Sequence, residues 1–182
     1  MIIIKYAGLI YDDTAAAPGL CLSFYVQGCP IKCDGCQNPH TWDPDGGYDF
    51  TPETLEKILN GLTKNGIQRT LCILGGEPLA PFNLFLVQLV IQNVRQHFPH
   101  LPIWIWTGYT IEELQQNIYN PHLAQILSSI DGLVVGPFVK SLRDITLPMR
   151  GSSNQKILIF DKERKIWYNK EKETEVYNLN GN

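Results

Sequence analysis

From residue 20 to residue 160, short runs of β-branched and aromatic residues alternate with stretches whose apolar positions recur every three or four residues. The strand-like runs fall at 20–28, 70–74, Ile103–Trp106, Gly132–Val135 and 156–160, and the helix-like spacing covers 52–63, 82–98, 111–118 and 122–129. In 52–63, Thr51 is placed to cap the helix with Pro52 at its first position, Leu55, Ile58, Leu59 and Leu62 repeat on one face, and Asn65-Gly66 follows as a stop. Thr110 and Glu113 have capping-box spacing, so a helix is expected to start just after the strand at Ile103–Trp106. Alternation of this kind predicts an α/β fold with a parallel sheet.

In such folds ligands gather at the carboxyl ends of the strands, so the turns that follow each strand carry the candidate chemistry. The first is followed by Cys29, Cys33 and Cys36 in a C-x3-C-x2-C run that extends to His40. The second leads into Gly75-Gly76-Glu77-Pro78, the third into Thr107-Gly108-Tyr109 and the fourth into Gly136-Pro137-Phe138. The run Gly151-Ser152-Ser153-Asn154-Gln155 precedes the last strand.

At 182 residues the chain has the length of one domain, and a net charge of −3 offers no basic field for phosphate backbones, so nucleic acid is an unexpected partner. The apolar opening is only three isoleucines long before Lys5, too short for a signal segment or a membrane span, and a cytoplasmic protein without a membrane partner is expected. The charge-rich end over 161–182 is read as an extension, partly mobile, to a domain covering 1–160.

Three thiols within eight residues of a reducing-compartment chain point to metal or redox chemistry. A structural zinc site would need a fourth ligand, which His40 could supply. Three cysteines without a fourth describe a [4Fe–4S] cluster with one iron left open to a ligand. Cys21 and Cys72 lie in apolar strand contexts and are expected to be buried packing residues.

The cysteine spacing at the end of the first strand, together with a Gly-Gly-Glu-Pro turn about forty residues later, resembles the radical S-adenosylmethionine (SAM) superfamily. The resemblance implies a partial (β/α) barrel of the radical SAM type, with a mostly parallel sheet and helices outside. It implies that Cys29, Cys33 and Cys36 hold one [4Fe–4S] cluster whose fourth iron is chelated by SAM, and that reductive cleavage of SAM yields a 5′-deoxyadenosyl radical. Gly75, Gly76 and Glu77 are then expected at the methionine end of SAM, with Glu77 accepting from its ammonium. Gly35 and Gln37 are expected against the adenosyl group, and Thr107 against the ribose. Many relatives have an aromatic residue at the Gly35 position, and its absence here leaves Trp42 or Tyr109 to stack on the adenine.

Over about residues 8–160 the chain is similar to a narrower group, the activating proteins of anaerobic ribonucleoside-triphosphate reductase, which place a glycyl radical on a large partner enzyme. Ala17-Pro18-Gly19-Leu20, Thr41-Trp42, Trp106 to Thr110, Gly136-Pro137-Phe138 and Arg150 to Gln155 carry that similarity. The first of these lacks the arginine of the family pattern, and Val135 stands where relatives often carry an acid. The resemblance implies a flavodoxin or ferredoxin as electron donor. Activases of other glycyl-radical enzymes, of the pyruvate formate-lyase type, and small-molecule radical SAM enzymes share its main motifs. The loops at 39–50 and 143–155 are expected docking surfaces for a partner.

Overall fold

Alternate residues of the central strands are apolar and fully buried, which gives the sheet a packed face and a second face of different character. In the computed structural model, residues 4–179 are described. The strands are β1 (Lys5–Asp13), β2 (Cys21–Val26), β3 (Tyr48–Asp49), β4 (Thr70–Gly75), β5 (Ile103–Trp106), β6 (Gly132–Val135), β7 (Lys156–Asp161), β8 (Ile166–Asn169) and β9 (Val176–Tyr177). The helices are α1 (Pro52–Leu62), α2 (Leu84–His97), α3 (Ile111–Asn117) and α4 (Pro121–Ser129). The strands form one sheet in the order β3-β1-β2-β4-β5-β6-β7-β8-β9.

The expected partial (β/α) barrel with a mostly parallel sheet is corrected by this topology. Among the described residues most pairings in the nine-stranded sheet are antiparallel: β1 with β2 and β3, β6 with β7, β7 with β8, and β8 with β9. Only β2-β4, β4-β5 and β5-β6 run parallel. The reason lies in the connections. A parallel return needs a crossover of a dozen or more residues, usually a helix. Helices join β4 to β5 and β5 to β6, whereas β1 turns directly into β2, and the loop from β6 to β7 contains no α-helix. The chain therefore comes back antiparallel on both flanks, and four helices serve nine strands.

Those helices all pack on one face. Ile58 and Leu62 of α1, Val87, Val90 and Val94 of α2, Leu114 of α3 and Ile126 of α4 share a cluster with Leu22, Phe24, Ile73, Ile105 and Leu133 of the sheet. Thr51 caps α1 by accepting from Thr54 N–H at 3.3 Å, and Thr110 caps α3 by accepting from Glu113 N–H at 3.3 Å while the Glu113 carboxylate accepts from Thr110 N–H. Val135, whose position the resemblance marks as often acidic, belongs to this helix-facing apolar cluster.

On the opposite face Cys21 and Cys72 are fully buried in a smaller cluster with Ala17, flanked by Leu74, Trp104, Trp106 and Met149. Burial, followed by the neighbouring Cys21, pushes the Cys72 thiol far up. Gly132 is required beneath Trp104, since a Cβ there would come within 2.4 Å of the indole.

The charge-rich stretch after Asp161 forms β8 and β9. Trp167 is fully buried and packs on Phe160, with ring centroids 5.1 Å apart. Met1 to Ile3, where the apolar opening begins, and residues 180–182 at the end of the charged extension lie outside the described residues. No helix among those described is long and apolar enough to cross a membrane.

Candidate functional site

The cysteine loop leaves β2 through Gly28, whose φ of 89° places it in the left-handed region and whose missing Cβ makes room for the Phe82 ring, which a Cβ would meet at 2.6 Å. The loop is pinned back on itself, with Gly28 N–H donating to Thr41 O at 2.8 Å and Cys29 N–H to Trp42 O at 3.1 Å. The next strand's turn is bonded to the same place: Gly76 N–H donates to Val26 O at 2.9 Å and Glu77 N–H to Gly28 O at 2.8 Å. A Cβ on Gly76 would come within 2.5 Å of Gly28 O, so only glycine permits this approach.

Asn83 ties the two turns together. Its buried Nδ2 donates to Glu77 O at 2.9 Å, Gln27 O at 3.0 Å and Gly28 O at 3.4 Å. It stands at the start of α2 yet does not cap it, because its side chain is turned onto these carbonyls.

The two turns open on one cavity of about 410 Å³. Cys29, Cys33, Cys36, Gln37, Gly75, Gly76, Glu77 and Thr107 all line it. Gly35 does not; it lies outside the lining, against Phe138 and Lys140. Trp42 and Tyr109 are absent from the lining too, as is His40, which is exposed. Asp13, Ala16, Tyr25, Trp106, Met149 and Arg150 line it as well. Of the loops expected to dock a partner, 143–155 therefore borders the cavity and 39–50 does not.

Glu77 is 1% exposed, and its carboxylate is already occupied. Oε1 accepts from the Thr107 hydroxyl at 2.6 Å and from Leu79 N–H at 3.0 Å, and Oε2 accepts from Gly108 N–H at 2.7 Å. Burial raises its pKa to about 7, against the lowering pull of these three donors. Glu77 thus joins the turns after β4 and β5, and Thr107 acts first as its partner.

All three loop thiols are free and half-buried. Burial pushes the Cys29 thiol up, opposed by the amides of Lys32 and Ile31, and pushes Cys33 up, opposed by the amide of Phe138. Asn38 N–H donates to the Cys36 sulfur at 3.3 Å. Backbone N–H groups directed at sulfur favour the thiolate over the thiol, as a cationic iron centre requires. Among the described residues, no three His, Cys, Asp or Glu side chains close on a point where they could hold a single metal ion. A four-iron cluster asks instead for thiols spread around a cavity, and this donor set fits one.

A family model described as a 4Fe-4S single cluster domain matches residues 15–158. The anaerobic ribonucleoside-triphosphate reductase-activating protein of Escherichia coli K12 is 38% identical over 144 residues, covering 79% of this chain and 90% of that protein. The chain belongs to this family of activating proteins. The corresponding protein of Vibrio cholerae is 38% identical over 80% of this chain and 91% of its own, and that of phage T4 is 34% identical over 80% and 87%.

The cysteines and glycines of the site were visible in the sequence as motifs. Asn83, Asp13, Tyr25 and Met149 were not. Asn83 reads locally as an ordinary helix start, and the other three reach the cavity only through the pairing of distant segments.

Proposed function

We propose that the protein cleaves SAM reductively at a [4Fe–4S] cluster held by Cys29, Cys33 and Cys36, and so generates a glycyl radical on an anaerobic ribonucleoside-triphosphate reductase. The observation that carries this reading is the bonding of the cysteine loop to the Gly75-Gly76-Glu77 turn, which makes three thiols and two glycine backbones face one cavity. When bound, the cluster supplies the electron that splits the sulfonium of SAM into methionine and a 5′-deoxyadenosyl radical.

The chain's own residues bind, orient and exclude. Gly75 and Gly76 line the cavity at the end proposed for the methionine of SAM, the Gly76 N–H being already donated to Val26 O. Glu77 holds the Thr107 and Gly108 turn at a fixed distance from them. Gln37 flanks the cysteines where the adenosyl group is expected. Asp13, Ala16 and Tyr25 also line the cavity, and they are proposed to receive a glycine-bearing segment of the partner, whose backbone enters a narrow site because glycine has no Cβ. A flavodoxin or ferredoxin is proposed as the electron donor.

The test is anaerobic reconstitution, iron and sulfide analysis, and a dithionite-dependent assay for 5′-deoxyadenosine, followed by electron paramagnetic resonance on a mixture with the reductase. About four irons per chain, as the cluster formula requires, together with SAM cleavage and an organic radical on the partner is the expected result. Stoichiometric zinc without cleavage would refute the reading.

A further inference from the structure

We propose that Asn83 is a positioning residue for SAM cleavage: its side chain fixes the Gly75-Gly76-Glu77 turn against the root of the cysteine loop, and so sets where SAM stands relative to the cluster. This rests on the reading of the cavity as a [4Fe–4S] and SAM site.

Two turns and a helix meet at one amide. Asn83 is 3% exposed, and the two hydrogens on its Nδ2 are shared among three main-chain oxygens, those of Glu77 at 2.9 Å, Gln27 at 3.0 Å and Gly28 at 3.4 Å. Gln27 and Gly28 are the residues just before Cys29. Asn83 itself does not line the cavity, so it acts on a bound group only through the segments it holds.

The amide is anchored from its own side. Asn83 N–H donates to Ala80 O at 2.8 Å and Asn83 O accepts from Val87 N–H at 3.0 Å, which ties the residue into the first turn of α2, where Leu86 and Val87 are fully buried. An asparagine at a helix start ordinarily turns its side chain back to accept from the first N–H groups of the helix. Asn83 makes no such cap, and the side chain serves the two turns instead. A local rule set aside in this way marks a demand made by a site.

Each turn also has supports of its own. The cysteine loop is closed by Gly28 N–H on Thr41 O, by Cys29 N–H on Trp42 O, and by Gln27 Nε2, which donates to Asp43 O at 2.6 Å and to His40 O at 3.2 Å. Glu77 is tied onward to Thr107 and Gly108. Without Asn83 these supports remain, while the joint between the turns is left to the Gly76 and Glu77 N–H groups. The loop should therefore still take up a cluster, with the turn looser upon it. A displacement of about 1 Å between reacting groups costs about a hundredfold in rate.

The experiment compares wild type with Asn83→Ala and Asn83→Ser in the anaerobically reconstituted full chain. Serine is a favoured N-cap, so the second variant keeps the start of α2 supported but is too short to reach the carbonyls of Gln27 and Glu77. Asn93→Ala is the control, since that side chain bonds within α2, to Leu89 O at 2.9 Å. Three quantities are read: iron content, the kinetics of dithionite-dependent 5′-deoxyadenosine formation, and hydrogen exchange by mass spectrometry with and without the cluster. Both variants should carry the wild-type amount of iron, with kcat lowered roughly tenfold to a hundredfold and KM for SAM changed less. Amides of residues 75–80 should exchange about tenfold faster than in wild type while those of residues 86–94 in α2 stay unchanged, and the control should match wild type throughout. A wild-type chain that takes up no cluster or cleaves no SAM would overturn the reading of the site and this inference with it. With an active wild type, variants at the wild-type rate or with unchanged exchange at 75–80 would overturn this inference alone. Loss of iron in both variants, or faster exchange that extends through α2, would also overturn it, because Asn83 would then hold the scaffold and not the spacing of the two turns.

Discussion

Replacing Glu77 by glutamine isolates the energetic consequence of a carboxyl enclosed by protein. Burial moves this group from its ordinary 4.5 to about 7. Below pH 4.5 the folded and unfolded chains both hold the proton, and the group costs the fold nothing. Between 4.5 and 7 the unfolded chain releases the proton while the folded chain keeps it, so stability falls as pH rises, and above 7 the loss levels off. At 1.36 kcal/mol for each tenfold difference, the loss amounts to about 3 kcal/mol. Glutamine has no such dependence, but its amide nitrogen must face a donor in either orientation, because Thr107, Leu79 and Gly108 all donate to the carboxylate. That mismatch is a pH-independent cost of roughly 1–3 kcal/mol. Urea unfolding of the reduced, cluster-free chain from pH 4.5 to 8 measures both terms, and the difference between wild type and Glu77→Gln removes the titrations they share. The advantage of the wild type should shrink by about 3 kcal/mol across the range. A difference that stays constant with pH would refute the argument.

Cys33→Ala should abolish cluster binding and SAM cleavage, whereas Cys72→Ala should leave both intact and cost about 1 kcal/mol for a small cavity; equal loss of iron in the two variants would contradict the assignment. Trp167→Ala should destabilise the chain by about 3–5 kcal/mol in denaturant, since the indole is fully buried, and an unchanged midpoint would show that β8 is not part of the cooperative core. Gly132→Ala drives a methyl group into the Trp104 ring and should cost about 1–3 kcal/mol, with a change in tryptophan fluorescence as a second readout.

Much of the local structure was legible before any coordinates. The caps at Thr51 and Thr110, and the strands Ile103–Trp106 and Gly132–Val135, depend on neighbours within a few residues, so their signals are local. The direction in which a strand docks is not local. Nothing near Lys156 states that β7 runs against β6, and Lys162, Glu163 and Arg164 mask the alternation by which Trp167 and Asn169 turn inward. The antiparallel flanks were missed for that reason. In the site, the cysteines and glycines announce themselves by type and spacing. Asn83 and Ser152 act on backbone groups far along the chain, Asn83 on one that lies 56 residues away, and such partners leave no trace in a local pattern.

The division of β2 and β4 between two clusters limits how these strands can change. Leu22, Phe24, Val26, Leu71 and Ile73 look toward the helices, while Cys21, Tyr25, Cys72 and Leu74 look the other way. Substitutions at the first set bear on the melting behaviour of the chain; in the second, Tyr25 and Leu74 line the cavity and bear on what it accepts, while Cys21 and Cys72 are buried packing residues. A change of length is another matter. Inserting or deleting one residue would carry every side chain beyond it to the opposite face and exchange the two sets at once. These strands can therefore be rewritten residue by residue but not lengthened or shortened.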